Sequence, residues 1–334
     1  MFGKMMNSFY YGKSGKGDYR KEDLPKNRRQ LFFEMLRVRL SGLIRLNLMY
    51  AVAWIPVIIL VFLTIMAAVG LLDGVVTESE GLLAEGEGLW DAFAKAEMQD
   101  SLLAFMDQIN NLILTGLLFL VPCLFITGPF TAGIAYITRN WARDEHAFIW
   151  SDFKDTVKSN WKQALLTSLI TGIMPVIVYI GYRTYGEMAV QSGFLYTILQ
   201  VFIVVVGVIW SFMTIYIYPL MVTYKLSYKQ LIRNAALLAI GRLPQSLLMR
   251  LLSLLPLAVA VAVVYFTGSL EIVIFVTVLL YLLFFFAFNR FVYASYANGV
   301  FDKYINARIE GVQVNRGLST EEDEDEDEEE EQEA

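Results

Sequence analysis

Six long stretches without a charged residue constrain this chain more than any other feature. Backbone N–H and C=O groups find no water in hydrocarbon, so such a stretch has to pair them internally, as a helix does. About 20 residues, at ~1.5 Å each, cross a hydrocarbon core of roughly 30 Å. The chain is therefore predicted to be all-α, a polytopic membrane protein built as a bundle of six transmembrane helices. The predicted spans are 46–72, 112–137, 164–182, 194–224, 251–270 and 272–289.

The junction of the last two spans contains Thr267-Gly268-Ser269, where small residues permit a tight turn. A single continuous helix is the alternative at this junction.

The positions of Lys and Arg predict which side of the membrane each connection faces. Of the 27 Lys and Arg residues, all but Lys95 and Arg183 lie before residue 46, within 138–163 or 225–250, or after residue 289. Cytoplasmic connections collect positive charge. Both termini are therefore predicted to lie in the cytoplasm.

The polar segments divide the chain into three parts. Residues 1–42 form a basic arm with an amphipathic helix, 43–300 the membrane domain with an acidic extracytoplasmic loop at 73–111, and 301–334 a cytoplasmic tail. Residues 321–333 hold 12 of the 33 acidic residues, so the chain without them is net +6 although the whole is −6. Adjacent carboxylates repel and have nothing apolar to bury, so the acidic end at 321–334 is predicted to be disordered.

Composition argues against catalysis. One Cys and one His exclude an internal disulfide and argue against Cys- or His-based metal sites. The spans lack Asp, Glu, Lys, Arg and His, the residues with which pumps and proton-coupled carriers usually mark their route. We expect no enzymatic activity, no cofactor, no bound metal and no nucleic-acid partner.

Three basic cytoplasmic segments, 30–40, 150–163 and 228–243, have the spacing of amphipathic helices. In the second segment, two Trp and a Phe share one face and lysines form a row beside them. Such a helix suits the headgroup layer, with its lysines toward anionic lipid, or a partner protein. An ordinary elbow leading into the next span is the alternative. These residues are Trp150, Phe153, Lys154, Lys158 and Trp161.

Gly128, Pro129 and Gly133 lie near the cytoplasmic end of the second span. Gly and Pro can bend or break a helix, and small residues let neighbouring helices approach closely. The segment is predicted to be a structural hinge, with a substrate-gating hinge as the alternative.

The most polar groups within the spans are Asn47 and Gln200. Together with Tyr216 they are candidates for the polar lining of a solute path, because amides, hydroxyls and aromatic rings suffice to bind a neutral sugar. A continuous polar cavity lined by Gln200 and Tyr216 would favour a transporter, whereas a solid apolar core would favour an accessory protein.

Three segments suggest an internal repeat. Ser41–Pro56, Asn160–Pro175 and Gly241–Pro256 each start polar and reach a proline 15 residues later. A proline there would kink the first helix of each two-span hairpin at a similar depth. Three tandem hairpins in one orientation are one interpretation, and chance similarity between Leu-rich segments is the other.

Several short motifs resemble those of the YesL-like bacterial membrane proteins, a family of unknown function. The resemblance covers most of residues 30–300, and it implies a multi-span plasma-membrane protein of bacteria with a role in sugar uptake or its regulation. The acidic loop and the acidic tail depart from the family pattern. The motifs are Phe33-Glu34-Met35-Leu36-Arg37, Leu46-Asn47-Leu48, Gly128-Pro129, Ala132-Gly133, Arg139–Asp144, Asp152-Phe153-Lys154 and Asn160-Trp161.

The leading functional hypothesis is a non-enzymatic accessory or regulatory component linked to carbohydrate uptake. A transporter or channel for a small solute such as a sugar is the alternative. The expected partners are the bilayer, with anionic lipids on its cytoplasmic face, and either a membrane transporter or a second copy of this chain.

Labelling of single cysteines tests the predicted topology in a variant whose native cysteine is removed by Cys123→Ala. A membrane-impermeant maleimide added to intact cells should leave Lys158→Cys and Arg233→Cys unlabelled, because both lie in cytoplasmic connections. It should label Gln191→Cys in the outer connection 183–193. Equal labelling of Lys158→Cys and Gln191→Cys would contradict the arrangement.

Overall fold

The computed structural model describes residues 25–81 and 96–318, and these residues form helices without a strand. The eight α-helices of this part are α1 (Arg28–Gly81), α2 (Ala96–Trp141), α3 (Ile149–Ser192), α4 (Phe194–Thr223), α5 (Tyr228–Gly241), α6 (Leu243–Thr267), α7 (Leu270–Leu280) and α8 (Phe286–Tyr304). A π-helical turn (Tyr281–Phe285) joins α7 to α8, and a 3₁₀ turn (Asn306–Arg308) follows α8.

Six helical segments in the described residues are long and apolar enough to cross a membrane, which confirms the predicted fold class. Each overlaps one predicted span. They are Arg28–Ser79, Met98–Trp141, Ile149–Ser192, Phe194–Thr223, Leu243–Thr267 and Leu270–Arg308.

The helices extend well beyond the uncharged stretches. Residues 73–81 continue α1, and residues 96–111 belong to α2. The predicted acidic loop is therefore helical at both of its ends, and residues 82–95 between them lie outside the described residues, as do residues 1–24 and the acidic end of the tail.

Two of the three predicted amphipathic helices are not separate helices. Residues 30–40 are the beginning of α1, and residues 150–163 are the beginning of α3. No Pro separates either segment from the start of its span, and the first helix continues through Gly42, so the backbone hydrogen bonds continue without interruption. The third segment is a helix of its own, α5. Its beginning is stabilised by a capping box, in which Ser227 precedes the helix and Gln230 belongs to its first turn.

A left-handed glycine separates α6 from α7. Gly268 has φ +67°, and its N–H donates to Val264 O at 2.8 Å, which closes the end of α6. The tight turn expected between the last two spans is confirmed, and the single continuous helix is wrong.

The contacts of the chain define two compact units. Among the described residues, unit 1 contains 25–51, 130–161 and 212–318, and unit 2 contains 52–81, 96–129 and 162–211.

The second half of α4 forms the centre of unit 1. Ile215, Tyr216 and Ile217 are all fully buried, although successive residues of a helix point about 100° apart. A helix that is buried on all sides is surrounded by others. The buried residues of α8 include Ala287, Ala294 and Ala297, and such small side chains let helices pack closely.

Glycines mark the helix crossings of unit 2. A Cβ on Gly172 of α3 would lie 3.0 Å from Val121 Cα of α2, and one on Gly207 of α4 would lie 2.6 Å from Val178 Cγ2 of α3. A hydrogen bond accompanies the first crossing, because Ser168 Oγ of α3 donates to the backbone oxygen of Phe125 at 2.8 Å. Close packing and interhelical hydrogen bonds therefore hold α2, α3 and α4 together here.

Asn47 of α1 completes the backbone hydrogen bonding of the π-helical turn. Its Nδ2 donates to the carbonyl oxygens of Tyr281 and Leu282 at 3.0 and 2.6 Å, and its Oδ1 accepts from the N–H of Ala287 at 2.7 Å. A π-helical turn shifts the hydrogen-bond register and leaves backbone groups without their usual α-helical partners. The fully buried amide supplies these partners and ties α1 to the last span.

The variant Asn47→Leu should lower the free energy of unfolding by about 1–3 kcal/mol, because it leaves buried backbone groups without partners. The change is measured as a lower midpoint of thermal unfolding in mild detergent. Leu48→Ala is the matched control, since Leu48 is the next residue of α1 and its side chain is 50% exposed. Equal midpoints for the two variants would show that the amide does not stabilise the turn.

Candidate functional site

The predicted hinge residues are contact points between helices. Helix α2 is not broken here, because it continues through Pro122 and Pro129 to Trp141. In unit 2, a Cβ on Gly128 would lie 2.4 Å from both the backbone oxygen of Ala164 and Ser168 Oγ. A backbone oxygen cannot move aside as the end of a flexible side chain can, so only glycine fits this crossing.

Gly133 makes the equivalent contact in unit 1. A Cβ at this position would lie 2.8 Å from the ring of Phe153 and 2.9 Å from Val157 Cγ2. The glycine thus forms a hollow in α2 that receives two side chains from the beginning of α3.

Because of this hollow, the residues of 150–163 that were predicted to share one membrane-surface face differ in their exposure. Phe153 is buried, whereas Trp150 and Trp161 are 69% and 47% exposed. Lys154 and Lys158 are exposed as well. The predicted single apolar face is therefore divided, because Phe153 packs inside the protein, whereas both Trp and both Lys are among the exposed residues of the segment.

Each of the three candidate polar-lining residues forms hydrogen bonds with neighbouring groups of the protein. Asn47 serves the π-helical turn of unit 1. Tyr216, also in unit 1, is fully buried, and its hydroxyl lies 2.9 Å from Ser246 Oγ and 3.1 Å from the hydroxyl of Tyr296. In unit 2, Gln200 Nε2 donates to the backbone oxygen of Tyr182 at 3.0 Å.

Sequence analysis missed two arginines beside tyrosines in unit 1. Arg250 of α6 donates to Thr214 Oγ1 at 2.7 Å and to the hydroxyl of Tyr293 at 3.2 Å. Arg290 of α8 lies one turn before Tyr293, and its Cζ is 5.4 Å from the centroid of the Tyr218 ring. Both arginines lie directly beside uncharged stretches, so the sequence pattern places them in the polar connections between spans. The spacing of three residues between Arg290 and Tyr293, which puts both on one face of a helix, is the sequence signal that could have identified this pair.

The arginine–tyrosine cluster (Thr214, Tyr218, Arg250, Arg290 and Tyr293) is suited to binding an anion. Guanidinium groups bind carboxylate and phosphate oxygens with paired donors, and aromatic rings hold a guanidinium in place by cation–π contact. Within the described residues, Arg290 forms no ion pair with a carboxylate.

Other charged groups of unit 1 form a structural network. Glu145 lies 3.3 Å from Arg143 Nε and 3.2 Å from Arg316 Nη1, which holds the segment after α8 against the end of α2. Asp144, at φ +55° in the same turn, has a pKa raised by burial, and the nearby Arg39 opposes this shift only in part. The residues of the Arg139–Asp144 motif therefore form the end of α2 and the turn that follows it.

His146 belongs to no metal centre in the described residues. Its ring lies 4.5 Å from that of Phe148. No group of three or more His, Cys, Asp or Glu in this part of the chain is arranged to hold a metal ion.

One family model matches part of the chain. Residues 108–182 match the family described as "Protein of unknown function, DUF624". The match covers most of α2 and α3, and it includes Gly128, Gly133 and the motif Asp152-Phe153-Lys154. No curated protein and no solved structure matches the chain.

The variant Gly128→Ala should be destabilised by about 1–3 kcal/mol, because the added methyl group has to push α2 away from the backbone of α3. Gly70→Ala is the matched control, since a Cβ on Gly70 of α1 has no atom within 4 Å. That change should be neutral or stabilise the helix by up to about 1 kcal/mol. Thermal unfolding in detergent measures both changes, and equal midpoints would contradict the close crossing.

Proposed function

We propose that this chain is a non-enzymatic integral membrane protein of a bacterial plasma membrane, an accessory or regulatory component linked to carbohydrate uptake. In this proposal both termini lie in the cytoplasm, together with the beginnings of α1, α3 and α6.

One observation carries the accessory role. Asn47 and Tyr216 are the candidate polar-lining residues that lie in unit 1, and both are fully buried and hydrogen-bonded to protein groups. A solute could bind them only after these internal bonds were broken, which costs free energy for each buried group left without a partner. An interior of this kind supports a protein that works through its surfaces.

The exposed surface of α3 offers such a contact region. Trp150 and Trp161 present large aromatic area beside Lys154 and Lys158. Exposed aromatic residues with neighbouring cations are suited to contact with a partner protein or with the headgroup layer.

The link to carbohydrate uptake rests on the resemblance to the YesL-like proteins. The family match over 108–182 includes five of the seven motifs that carry this resemblance. Gly128, Gly133 and Phe153 of these motifs lie at contacts between α2 and α3, so they support a shared architecture more directly than a shared substrate.

A second candidate function is the binding or transport of an anionic solute such as a sugar phosphate. The arginine–tyrosine cluster favours it, because Arg290 lies against the ring of Tyr218 and forms no ion pair within the described residues, and guanidinium groups bind oxygen anions well.

Flux measurements distinguish the two functions. Vesicles that contain only the purified full-length protein should take up labelled glucose or glucose 6-phosphate no faster than protein-free vesicles, because an accessory protein provides no path. In cells, deletion of the protein should slow uptake of a carbohydrate, and re-expression should restore the rate.

Uptake by the vesicles themselves would overturn the accessory role. The second candidate predicts uptake of glucose 6-phosphate but not of glucose, and predicts its loss in Arg290→Met. Arg233→Met is the control for this variant, because Arg233 is an exposed residue of α5 outside the cluster.

A further inference from the structure

A groove of about 590 Å³ lies in unit 1 between α5 and the end of α8. Leu237 and Leu238 of α5 form one wall, and Ile305 and Ile309 contribute to the other. Arg242 and Arg308 also line it, so the groove combines apolar walls with two cations.

The groove opens beside the exposed apolar surface of α5 and α6. Leu237 and Ile240 at the end of α5 are 61% and 54% exposed, and the exposed leucines continue along α6 with Leu243, Leu247 and Leu251. On a helix that crosses a membrane, an exposed apolar face is the face toward lipid. Arg242 stands at the corner between α5 and α6, at the boundary where this face begins.

Tyr304 positions the cations around the groove. Arg242 Nη1 donates to the hydroxyl of Tyr304 at 3.3 Å, and its Cζ lies 5.6 Å from the centroid of that ring. The ammonium group of Lys303 lies 5.7 Å from the same centroid. A guanidinium held in this way loses less side-chain entropy when it binds an anion.

The positive charge of the groove is not balanced within the described residues. Arg242 and Arg308 form no ion pair there, and Arg242 Nε is buried without a hydrogen-bond partner. Asp302, the nearest carboxylate before the groove on α8, is held by Arg28 and by Asn306. The groove is therefore suited to an anionic ligand.

We propose that this groove binds the phosphate of an anionic phospholipid. Arg242 and Arg308 donate to the phosphate oxygens, and the leucines and isoleucines contact the first methylene groups of the acyl chains. Basic pockets at the ends of membrane helices recognise anionic headgroups in this way. The exposed apolar belt favours a lipid over a soluble phosphate, since the groove then extends a surface that already faces acyl chains.

Native mass spectrometry of the full-length protein in mild detergent tests the assignment. Dioctanoyl phosphatidylglycerol should bind saturably, whereas dioctanoyl phosphatidylcholine should bind more weakly. Each of Arg242→Gln and Arg308→Gln should raise the dissociation constant for phosphatidylglycerol about tenfold, which corresponds to ~1.4 kcal/mol for the loss of a charge-assisted hydrogen bond. Arg308 is exposed, so its variant keeps the test valid if Arg242→Gln fails to fold.

The double variant Arg45→Gln/Lys225→Gln is the matched control, because it removes two exposed cations of unit 1 that do not line the groove. It should bind phosphatidylglycerol with the dissociation constant of the wild type. An equal loss of affinity in this control would show that the lipid is held by general charge attraction, and would overturn the proposed site. Displacement of phosphatidylglycerol by an equal concentration of inorganic phosphate would overturn the lipid assignment.

The acidic tail is the competing occupant. A full-length variant whose carboxylates at 321–333 are changed to amides should bind phosphatidylglycerol with unchanged affinity. A gain in affinity would show that the tail fills the groove, and would overturn the proposal.

Discussion

The need to pair every backbone polar group in hydrocarbon governs this structure. Long helices satisfy that need along their own length, and most of the described chain is helical for this reason. Where the last span passes through a π-helical turn, the regular pairing shifts, and Asn47 of α1 supplies the missing partners from another helix. The one strongly polar group near the start of the first span is thus part of the backbone hydrogen bonding of the last.

Glycine positions then decide how closely the helices approach. Gly128, Gly172 and Gly207 admit the neighbouring backbone or side chain in unit 2, and Gly133 admits Phe153 in unit 1. Without a hydrophobic driving force between helices in lipid, close packing of this kind is a main source of association. The match to the family of unknown function lies over the α2–α3 pair and includes Gly128, Gly133 and Gly172.

Charged residues act at the ends of the helices. The helices extend beyond the uncharged stretches, so Arg250 and Arg290 become helical residues with tyrosine neighbours. Elsewhere Glu145 and Asp302 hold arginines in ion pairs, whereas Arg242 and Arg308, which line the groove, form no ion pair in the described residues. The contrast between paired and unpaired arginines in the described residues separates structural charges from those suited to a ligand.

The sequence by itself determined the helical class, the count of six spans in the described residues and the turn at Gly268, because these follow from local rules of length, hydropathy and backbone conformation. It also singled out Gly128 and Gly133, but as a hinge, whereas the structure shows an unbroken helix and close contacts with α3 at both glycines. Tertiary structure alone decided which side chains meet. Asn47 was chosen for its polarity, but its partners lie far along the chain, and Phe153 turns inward because α2 offers it a hollow. The hydrogen bond of Arg250 with Tyr293 and the groove at Arg242 depend on residues far apart in the chain, and no local periodicity records such contacts.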